Sequence, residues 1–428
     1  MEKSEVTGAN EKGFVIQFIL MSAVAGVISA LFTLITDLAH IISLKIFAFN
    51  PYIMFAFTPI IFVAISHLLR KYFPYSDGSG LPQGYAVDIF SQEQLDNTYS
   101  IRAMLGKILL TFMSILGGAS LGKEGPTIQI CSSLYASIKN VSEKRHRLLI
   151  KIGAGVGVAA AFNAPLGGMV FAIEEYVRNI HARLATYLVL GAGVAVYFAN
   201  LITGYQPYLG YIPVHLLYAN YKAGILALLI GAICGLLGAL FTKVVVIMTV
   251  DTSWKINRLR RKHYLVNAFF FGVIVALIGF YTAGYSFGNG ASSIRQFLDH
   301  NSSSPWYFAL GKFLGATASV SAFVPGGYFS TALSIGAGIG DLFQKVIPIH
   351  IPLVQFYLLG MVGFLAAITQ APVTAIAMVV EISNSGEFTL PILVAAIIAS
   401  YIAEIFGDSV YHQQALNYID KERYAETR

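Results

Sequence analysis

Residues 121–127 read Leu121-Gly122-Lys123-Glu124-Gly125-Pro126-Thr127, and they place an ionisable pair between two apolar runs. Proline at this position is compatible with the first turn of a new helix. Free backbone N–H groups and the positive end of the helix dipole would then gather near Glu124. The segment therefore predicts a broken helix whose end holds an anion or the glutamate's own carboxylate. A surface loop with a Lys–Glu pair is the alternative.

The chain around this segment has the composition of a membrane protein. Its 428 residues are 56% hydrophobic and 12% charged, whereas soluble domains carry about 25% charged residues. The mean hydropathy is +0.67. A membrane-spanning helix needs about 20 apolar residues, and clear candidates lie at 14–35, 52–69, 223–250, 266–281 and 390–405. We predict an all-α polytopic membrane protein in a lipid bilayer, with the first apolar segment retained as its first helix.

Basic residues concentrate between the apolar stretches, at 144–147, 258–263 and 421–428. The positive-inside bias identifies such runs as cytoplasmic loops and termini. We expect a multi-pass protein of the cell membrane, in bacteria the inner membrane, with both termini cytoplasmic and no nucleic-acid partner. Cys131 and Cys234 lie in apolar segments, so neither a disulfide framework nor a metal site is predicted.

Forty glycines and fourteen prolines interrupt the apolar regions. Glycine-rich points at 117–118, 167–168, 325–327 and 336–340 predict broken helices. Interrupted helices in lipid need their backbone groups satisfied by protein or by a water-lined cavity, so the breaks indicate a pathway. The longest polar stretch, 91–102, is predicted to be a loop.

The chain also repeats itself weakly. Residues 157–165 leading to Glu174 resemble residues 363–372 leading to Glu381, at an offset of 206 to 207. Segment 122–124 aligns with 327–329 at an offset of 205, and 78–80 aligns with 288–290 at 210. Ordered matches at nearly one offset predict two related halves of tilted and broken helices that meet at a central site.

The predicted organisation has four parts. Residues 1–13 form an N-terminal cytoplasmic segment, 14–215 the first transmembrane half, 216–410 the second half, and 411–428 a C-terminal tyrosine and a short cytoplasmic tail. Similarity alone does not distinguish inverted from parallel halves. No room is left for an appended regulatory domain.

Three further segments offer groups that could contact a ligand. Gly78-Ser79-Gly80-Leu81-Pro82 combines a hydroxyl with glycines that allow close backbone approach, although a simple turn has the same composition. Segment 326–331 would add N–H donors from the second half, with a flexible helix join as its alternative. Tyr411 would offer a phenol from the cytoplasmic side, and an interfacial aromatic belt is its alternative.

A short apolar helix through residue 173 ends in Glu174 and Glu175. An acid at the inner end of such a helix would relay protons from the cytosol to a deeper carboxylate. The alternative is that both acids are solvated and pair with Arg178.

In this order the motifs resemble the CLC family of chloride channels and chloride/proton exchangers, from about residue 14 to 415. The family's serine motif is similar to residues 78–82 and its gating-glutamate motif to 122–126. Its Phe-containing motif is similar to 327–331, and its anion-coordinating tyrosine to Tyr411. The chain resembles the prokaryotic members, which lack a C-terminal regulatory domain.

The resemblance implies a role for each site residue. Hydroxyls of Ser79 and Tyr411 would donate to a central chloride, with backbone N–H groups around Glu124 and Phe329 completing the site. Further anion contacts would come from the motif neighbours Gly80, Gly125 and Tyr328.

Glu124 would be the gate, occupying the outer anion position when ionised and leaving it when protonated. Glu175 matches the internal proton-transfer glutamate of exchangers, and Glu174 would shape the water route to it. The resemblance further implies a homodimer with one pathway per subunit, chloride and protons as substrates, and no organic cofactor.

Two residues depart from the family pattern. Lys123 stands where many prokaryotic members have Arg, and Thr331 stands where the Phe-containing motif normally ends in Pro. The threonine regains an N–H and loses the fixed φ of proline, which bears on anion preference.

The alternatives to an exchanger are a passive CLC-type chloride channel and a fluoride/proton antiporter. A membrane-embedded enzyme would need paired Asp, HExxH or a GxSxG nucleophile. HExxH is absent, and residues 118–122 match GxSxG without an accompanying catalytic set, so we predict that the protein is not an enzyme.

Overall fold

The computed structural model describes residues 8–177, 182–210, 212–250, 255–347 and 351–425. Nineteen α-helices account for most of these residues. They are α1 Gly8–Phe49, α2 Met54–Tyr72, α3 Leu81–Tyr85, α4 Gln92–Thr98, α5 Ile101–Leu116, α6 Glu124–Ala136, α7 Glu143–Phe162, α8 Pro165–Phe171, α9 Ala182–Thr203, α10 Tyr221–Thr249, α11 Lys255–Lys262, α12 Tyr264–Tyr281, α13 Ala291–Asp299, α14 Phe308–Ser321, α15 Phe329–Val346, α16 Leu353–Thr369, α17 Pro372–Ser383, α18 Thr389–Glu404 and α19 Val410–Ala425. A π-helical turn, Ala172–Val177, follows α8.

Six of the described helices are long and apolar enough to cross a bilayer, and the bent pair α4 and α5 makes a seventh candidate. Only 39–44% of the most apolar window in each of the six is buried in protein. The remaining apolar surface needs another apolar environment, which lipid supplies. The prediction of an all-α polytopic membrane protein is therefore confirmed. At 1.5 Å per residue the 42-residue α1 is about 63 Å long, about twice the hydrocarbon thickness.

Three predictions about local structure are wrong, and the first two concern residues 91–102 and 336–340. The 91–102 stretch is not a loop, because Ser91 and Gln94 form a capping box that starts α4. The glycines at 336–340 do not break a helix, since α15 runs through them. A Cβ at Gly340 would lie 1.9 Å from the Phe356 carbonyl oxygen of α16, so these glycines serve close helix packing.

The other three predicted glycine-rich breaks have mixed outcomes. α5 ends at Leu116 immediately before the 117–118 pair, and 325–327 separates α14 from α15, so helices are interrupted at both places. The 167–168 pair lies inside the short α8, where a Cβ at Gly168 would lie 2.5 Å from the backbone nitrogen of Ala159. That third prediction of a break is wrong for the same reason of close packing.

Corresponding helices of the two related halves run antiparallel. α8 and α17 occupy equivalent places in the repeat, and each begins with proline at its first position. Glu174, just beyond α8, accepts N–H groups at the start of α17, at 3.1 and 2.6 Å. Glu381, near the end of α17, accepts N–H groups at the start of α8, at 3.1 and 2.7 Å. Such reciprocal caps require the two helices to run antiparallel, which is compatible with halves related by a two-fold axis.

Buried lysines repeat the same relation. Lys107 of α5 donates to the carbonyls of Asp77 and Gly78, at 2.7 and 3.0 Å. Lys312 of α14, 205 residues later, donates to three successive carbonyls that end at Gly288, at 3.2, 2.8 and 2.9 Å. Each half thus holds its glycine-rich segment against a lysine that is fully buried. The half boundary at residue 215 stays a prediction, and it lies in the connection between α9 and α10.

Candidate functional site

Glu124 is the first residue of α6, and it is completely buried. Its Oε1 accepts hydrogen bonds from the Tyr208 hydroxyl at 2.9 Å and from Nδ2 of Asn289 at 3.0 Å. No hydrogen-bond partner reaches Oε2 among the described residues. A Cβ at Gly122 would lie 2.2 Å from Oε2, so glycine there leaves room for the carboxylate to fold back.

The glycine motifs of both halves meet around this carboxylate. Gly122 and Gly327 form an antiparallel bridge, with N···O distances of 2.6 and 2.8 Å. A Cβ at Gly80 would lie 2.7 Å from the Gly125 carbonyl oxygen, and one at Gly125 would lie 2.7 Å from that of Ser79. The structure thus brings the segments around Ser79, Glu124 and Phe329 together through backbone contacts that only glycine permits.

Tyr411 is the second residue of α19 and is completely buried. Its ring stacks on Tyr328 with centroids 5.0 Å apart and an interplanar angle of 9°. Its hydroxyl has no hydrogen-bond partner in the described part of the chain. The Tyr328 hydroxyl instead donates to Oε1 of Gln414 at 2.5 Å, so of the two phenols only that of Tyr411 remains free for another acceptor.

Phe329 is the first residue of α15, and its ring packs on Phe162 and Phe171 with centroids 5.3 and 6.4 Å apart. The unusual Thr331 does not prevent the helix from starting at this point. Its side chain is buried and donates to the Ser120 carbonyl at 3.4 Å.

The two acids after α8 differ in their surroundings. Both carboxylate oxygens of Glu174 accept the N–H groups of α17 described above. Glu175 is 7% exposed, within the π-helical turn next to Tyr176. Arg178, the partner considered for both acids, lies outside the described residues.

Two cavities approach the site, and Glu124 lines neither of them. The first cavity has a volume of about 460 Å³ and is lined by residues that include Arg70, Ser79, Thr249, Arg261, Gly326 and Tyr328. The second cavity has a volume of about 390 Å³ and is lined by residues that include Asp37, His40, Lys123, Tyr208, Asn289 and Arg295. Helix α10 follows the connection that carries Tyr208 and ends at Thr249, so the cavities lie at opposite ends of this span. The buried carboxylate stands between them.

Some of the basic residues that line the two cavities interact with neighbouring protein groups. The Lys123 ammonium lies 2.5 Å from Oδ1 of Asp37. Arg70 lies over the ring of Tyr264, 3.9 Å from its centroid, and donates to the Arg261 carbonyl at 2.7 Å. Both cavities therefore carry positive side chains near their walls, a setting that concentrates anions.

A family model described as voltage gated chloride channel matches residues 61–404, well over half of the chain. The chain belongs to the voltage-gated chloride channel family. It is 28% identical over 376 residues to the H(+)/Cl(-) exchange transporter ClcA of Vibrio vulnificus strain YJ016, a match that covers 82% of this chain and 76% of that protein. Its identity to the protein of the same name from Vibrio parahaemolyticus is 27% over 372 residues, with the same coverage.

Solved structures of chloride channel family proteins share the fold. A slow cyanobacterial Cl-/H+ antiporter superposes with a TM-score of 0.82 at 22% identity, covering 96% of this chain and 99% of that one. A CLC-type fluoride/proton antiporter superposes with a TM-score of 0.81 at 20% identity and the same coverage. At these identities the likeness shows the fold alone, and it confirms the predicted CLC-type architecture.

Sequence reasoning missed three residues of this family member's site. Asn289 and Tyr208 hold Glu124, and Ser330 lies with its Oγ 3.1 Å from the Tyr208 hydroxyl. The internal repeat could have indicated Asn289, because residues 288–290 align with residues 78–80 of the serine motif. Tyr208 lies in the connection between α9 and α10, more than 80 residues from Glu124, and no local pattern indicates its position.

Proposed function

We propose that this chain exchanges chloride for protons across the membrane, with Glu124 as the gate. One observation carries the proposal: a completely buried carboxylate begins α6 and lies between two cavities that open at opposite ends of the fold. An acid inside a membrane protein is costly and is retained where it has a function. The relatives named as H(+)/Cl(-) exchange transporters support the same activity.

Positive side chains on both routes would attract the anion. From the first cavity, chloride would pass Ser79 and meet the free hydroxyl of Tyr411. Backbone N–H groups at the starts of α6 and α15 would complete its coordination, since the positive ends of two helix dipoles converge there. Gly80, Gly125 and Tyr328 would form the wall around this central position.

Competition between carboxylate and anion would couple the two substrates. When Glu124 is ionised, its carboxylate occupies the outer anion position and is held by hydrogen-bond donors. When it is protonated, its charge is lost, the attraction of the donors weakens, and the side chain leaves. Chloride then takes the position, and each anion movement is tied to a proton carried by Glu124.

Protons would reach Glu124 from the first-cavity side through Glu175. Its near-complete burial suits a relay residue, which must exchange protons without being freely solvated. Glu174 would act on this route from outside, because its two oxygens already accept backbone N–H groups. We propose that it anchors α8 and α17 around the route and that it does not carry the proton itself.

The wider setting follows from the family resemblance and from the basic loops. We propose a homodimer in a bacterial inner membrane, with one pathway per subunit and both termini cytoplasmic. Chloride and protons are the only substrates in this proposal, and no organic cofactor takes part.

Purified protein in liposomes with a chloride gradient tests the proposal directly. We expect chloride to move in one direction while a pH electrode records protons moving in the other. Glu124→Gln should abolish proton movement and keep chloride flux, whereas Glu404→Gln, on the exposed end of α18, should match the native protein.

Other outcomes would identify the alternatives. Chloride flux without any pH change, at every gradient, would establish a passive channel. Proton-coupled flux of fluoride, with no chloride flux, would establish a fluoride/proton antiporter.

A further inference from the structure

Oε1 of Glu124 is held by two uncharged side-chain donors from different parts of the chain. The Tyr208 hydroxyl and the Asn289 amide also lie 3.2 Å from each other, so both converge on one point. Because the phenol uses its single proton for the carboxylate, the Ser330 hydroxyl must donate to the phenolic oxygen, 3.1 Å away. The three side chains form an ordered chain of donors that ends at Oε1.

These donors are fixed by contacts that do not involve Glu124. Oδ1 of Asn289 accepts the Ala291 N–H at 3.1 Å, which orients Nδ2 toward the carboxylate. The Asn289 carbonyl accepts the Ser334 hydroxyl at 2.6 Å. On this side of the site the amide therefore stays in place when the glutamate moves.

The phenol is anchored with equal independence. The ring of Tyr208 packs on Phe162 with centroids 5.1 Å apart, and its carbonyl accepts the Arg295 guanidinium. The next residue, Leu209, donates its N–H to the Ile382 carbonyl at 3.2 Å. Movement of Glu124 alone would leave the Tyr208 hydroxyl aimed at the same point.

Lys123, which precedes Glu124 in the chain, is not a donor to its carboxylate. Lys123 is paired with Asp37 at 2.5 Å. A position bounded by neutral donors favours a single negative charge and still permits its release, since no cation among the described residues bonds to the carboxylate.

We propose that Tyr208 and Asn289 form a side-chain anion site at the mouth of the second cavity, which binds the Glu124 carboxylate or a halide in turn. This inference rests on the proposed gating by Glu124. It adds two named side chains to the backbone N–H groups as ligands of the outer halide. The same two residues also bind the ionised Glu124 carboxylate. They therefore determine both the stability of the closed gate and the affinity of the outer position for halide.

Two variants test the site in two backgrounds. Tyr208→Phe keeps the ring contact with Phe162 and removes only the hydroxyl, and Asn289→Ala removes the amide. Tyr205→Phe is the matched control, because Tyr205 lies in the same connection and is exposed. Size-exclusion profiles establish that each variant is folded, and Tyr208→Phe decides alone if Asn289→Ala does not fold.

In the Glu124→Gln background, isothermal titration with chloride and with bromide measures the halide site. We expect the affinity for both halides to fall about tenfold with either variant, as loss of one hydrogen bond to a charged group predicts, and to stay unchanged with Tyr205→Phe.

In the native background, chloride efflux is measured against pH. The ionised carboxylate has lost a donor, so the gate opens under less acidic conditions and the half-maximal flux moves to higher pH by about one unit.

The outcomes separate the two proposals. If Glu124→Gln retains proton coupling, the gating role fails, whatever the other variants do. If coupling is lost but both variants bind halide like their parent, the halide site is overturned. A shifted pH profile with unchanged halide affinity would overturn it as well, because the donors would then serve the carboxylate alone.

Discussion

The reciprocal caps between α8 and α17 predict a specific pattern of stability. Glu174→Ala frees the two N–H groups at the start of α17, and Glu381→Ala frees the two at the start of α8. Loss of a helix cap costs about 1 kcal/mol, and loss of a charge favourable to the helix dipole costs about 0.3–1 kcal/mol. Each single variant should therefore lose about 1–2 kcal/mol of stability.

The double variant carries the sharper prediction. Both caps hold the same pair of helices together, so breaking one weakens the geometry on which the other depends. The double variant should lose less than the sum of the single losses, with an interaction energy of about 0.5 kcal/mol or more. Independent caps on separate helices would instead give additive losses.

Thermal unfolding in detergent, followed by the loss of the monodisperse chromatographic peak, provides the assay. For a chain of 428 residues we expect each single variant to unfold about 1–2 °C below the native protein. Glu404→Ala removes an exposed acid that caps no helix and should stay within about 0.5 kcal/mol of the native stability. Native-like unfolding of both single variants, or strict additivity in the double variant, would refute the reciprocal arrangement.

Four further changes follow from the structure. Glu175→Gln should remove proton coupling in the liposome assay while chloride flux continues, and coupling equal to the native value would exclude it from the proton route. Gly340→Ala places a Cβ 1.9 Å from a carbonyl oxygen and should abolish the monodisperse peak, whereas Gly193→Ala, with nothing within 4 Å, should leave it unchanged. Lys312→Met leaves three buried carbonyls without their donor and should cost about 1–3 kcal/mol in thermal unfolding. Thr331→Pro should fold normally, since an N–H in the first helical turn lacks an intrahelical acceptor, but the lost donor should change the ratio of chloride to nitrate flux in liposomes.

Much of the site could be predicted because its motifs are local. The segment around Glu124 combines an acid, flanking glycines and a proline, and the structure places the start of α6 at that acid. Segment 78–82 and residues 327–329 were predicted to lie beside it, and the glycine contacts and the Gly122–Gly327 bridge confirm that proximity. The roles of these residues in anion binding and gating stay predictions for the transport assays.

The glycine-rich segments show where local reasoning reaches its limit. A glycine run in an apolar stretch is compatible with a helix break and with close packing of an intact helix. At 325–327 it is a break, and at 336–340 it is packing against α16. The difference depends on which backbone lies opposite, and the sequence of the run itself does not contain that information.

Sequence by itself determined the environment and the class of fold, because apolar length and the scarcity of charge dictate helices in lipid whatever their arrangement. It also revealed the repeat, since related halves keep equivalent glycines and acids at nearly one offset. Tertiary structure alone decided that α8 and α17 run antiparallel, that Glu174 and Glu381 cap each other's helices, and that Tyr208 and Asn289 hold Glu124. Those contacts join residues 84 to 215 positions apart, and nothing local in the chain specifies which distant donor meets a given carboxylate.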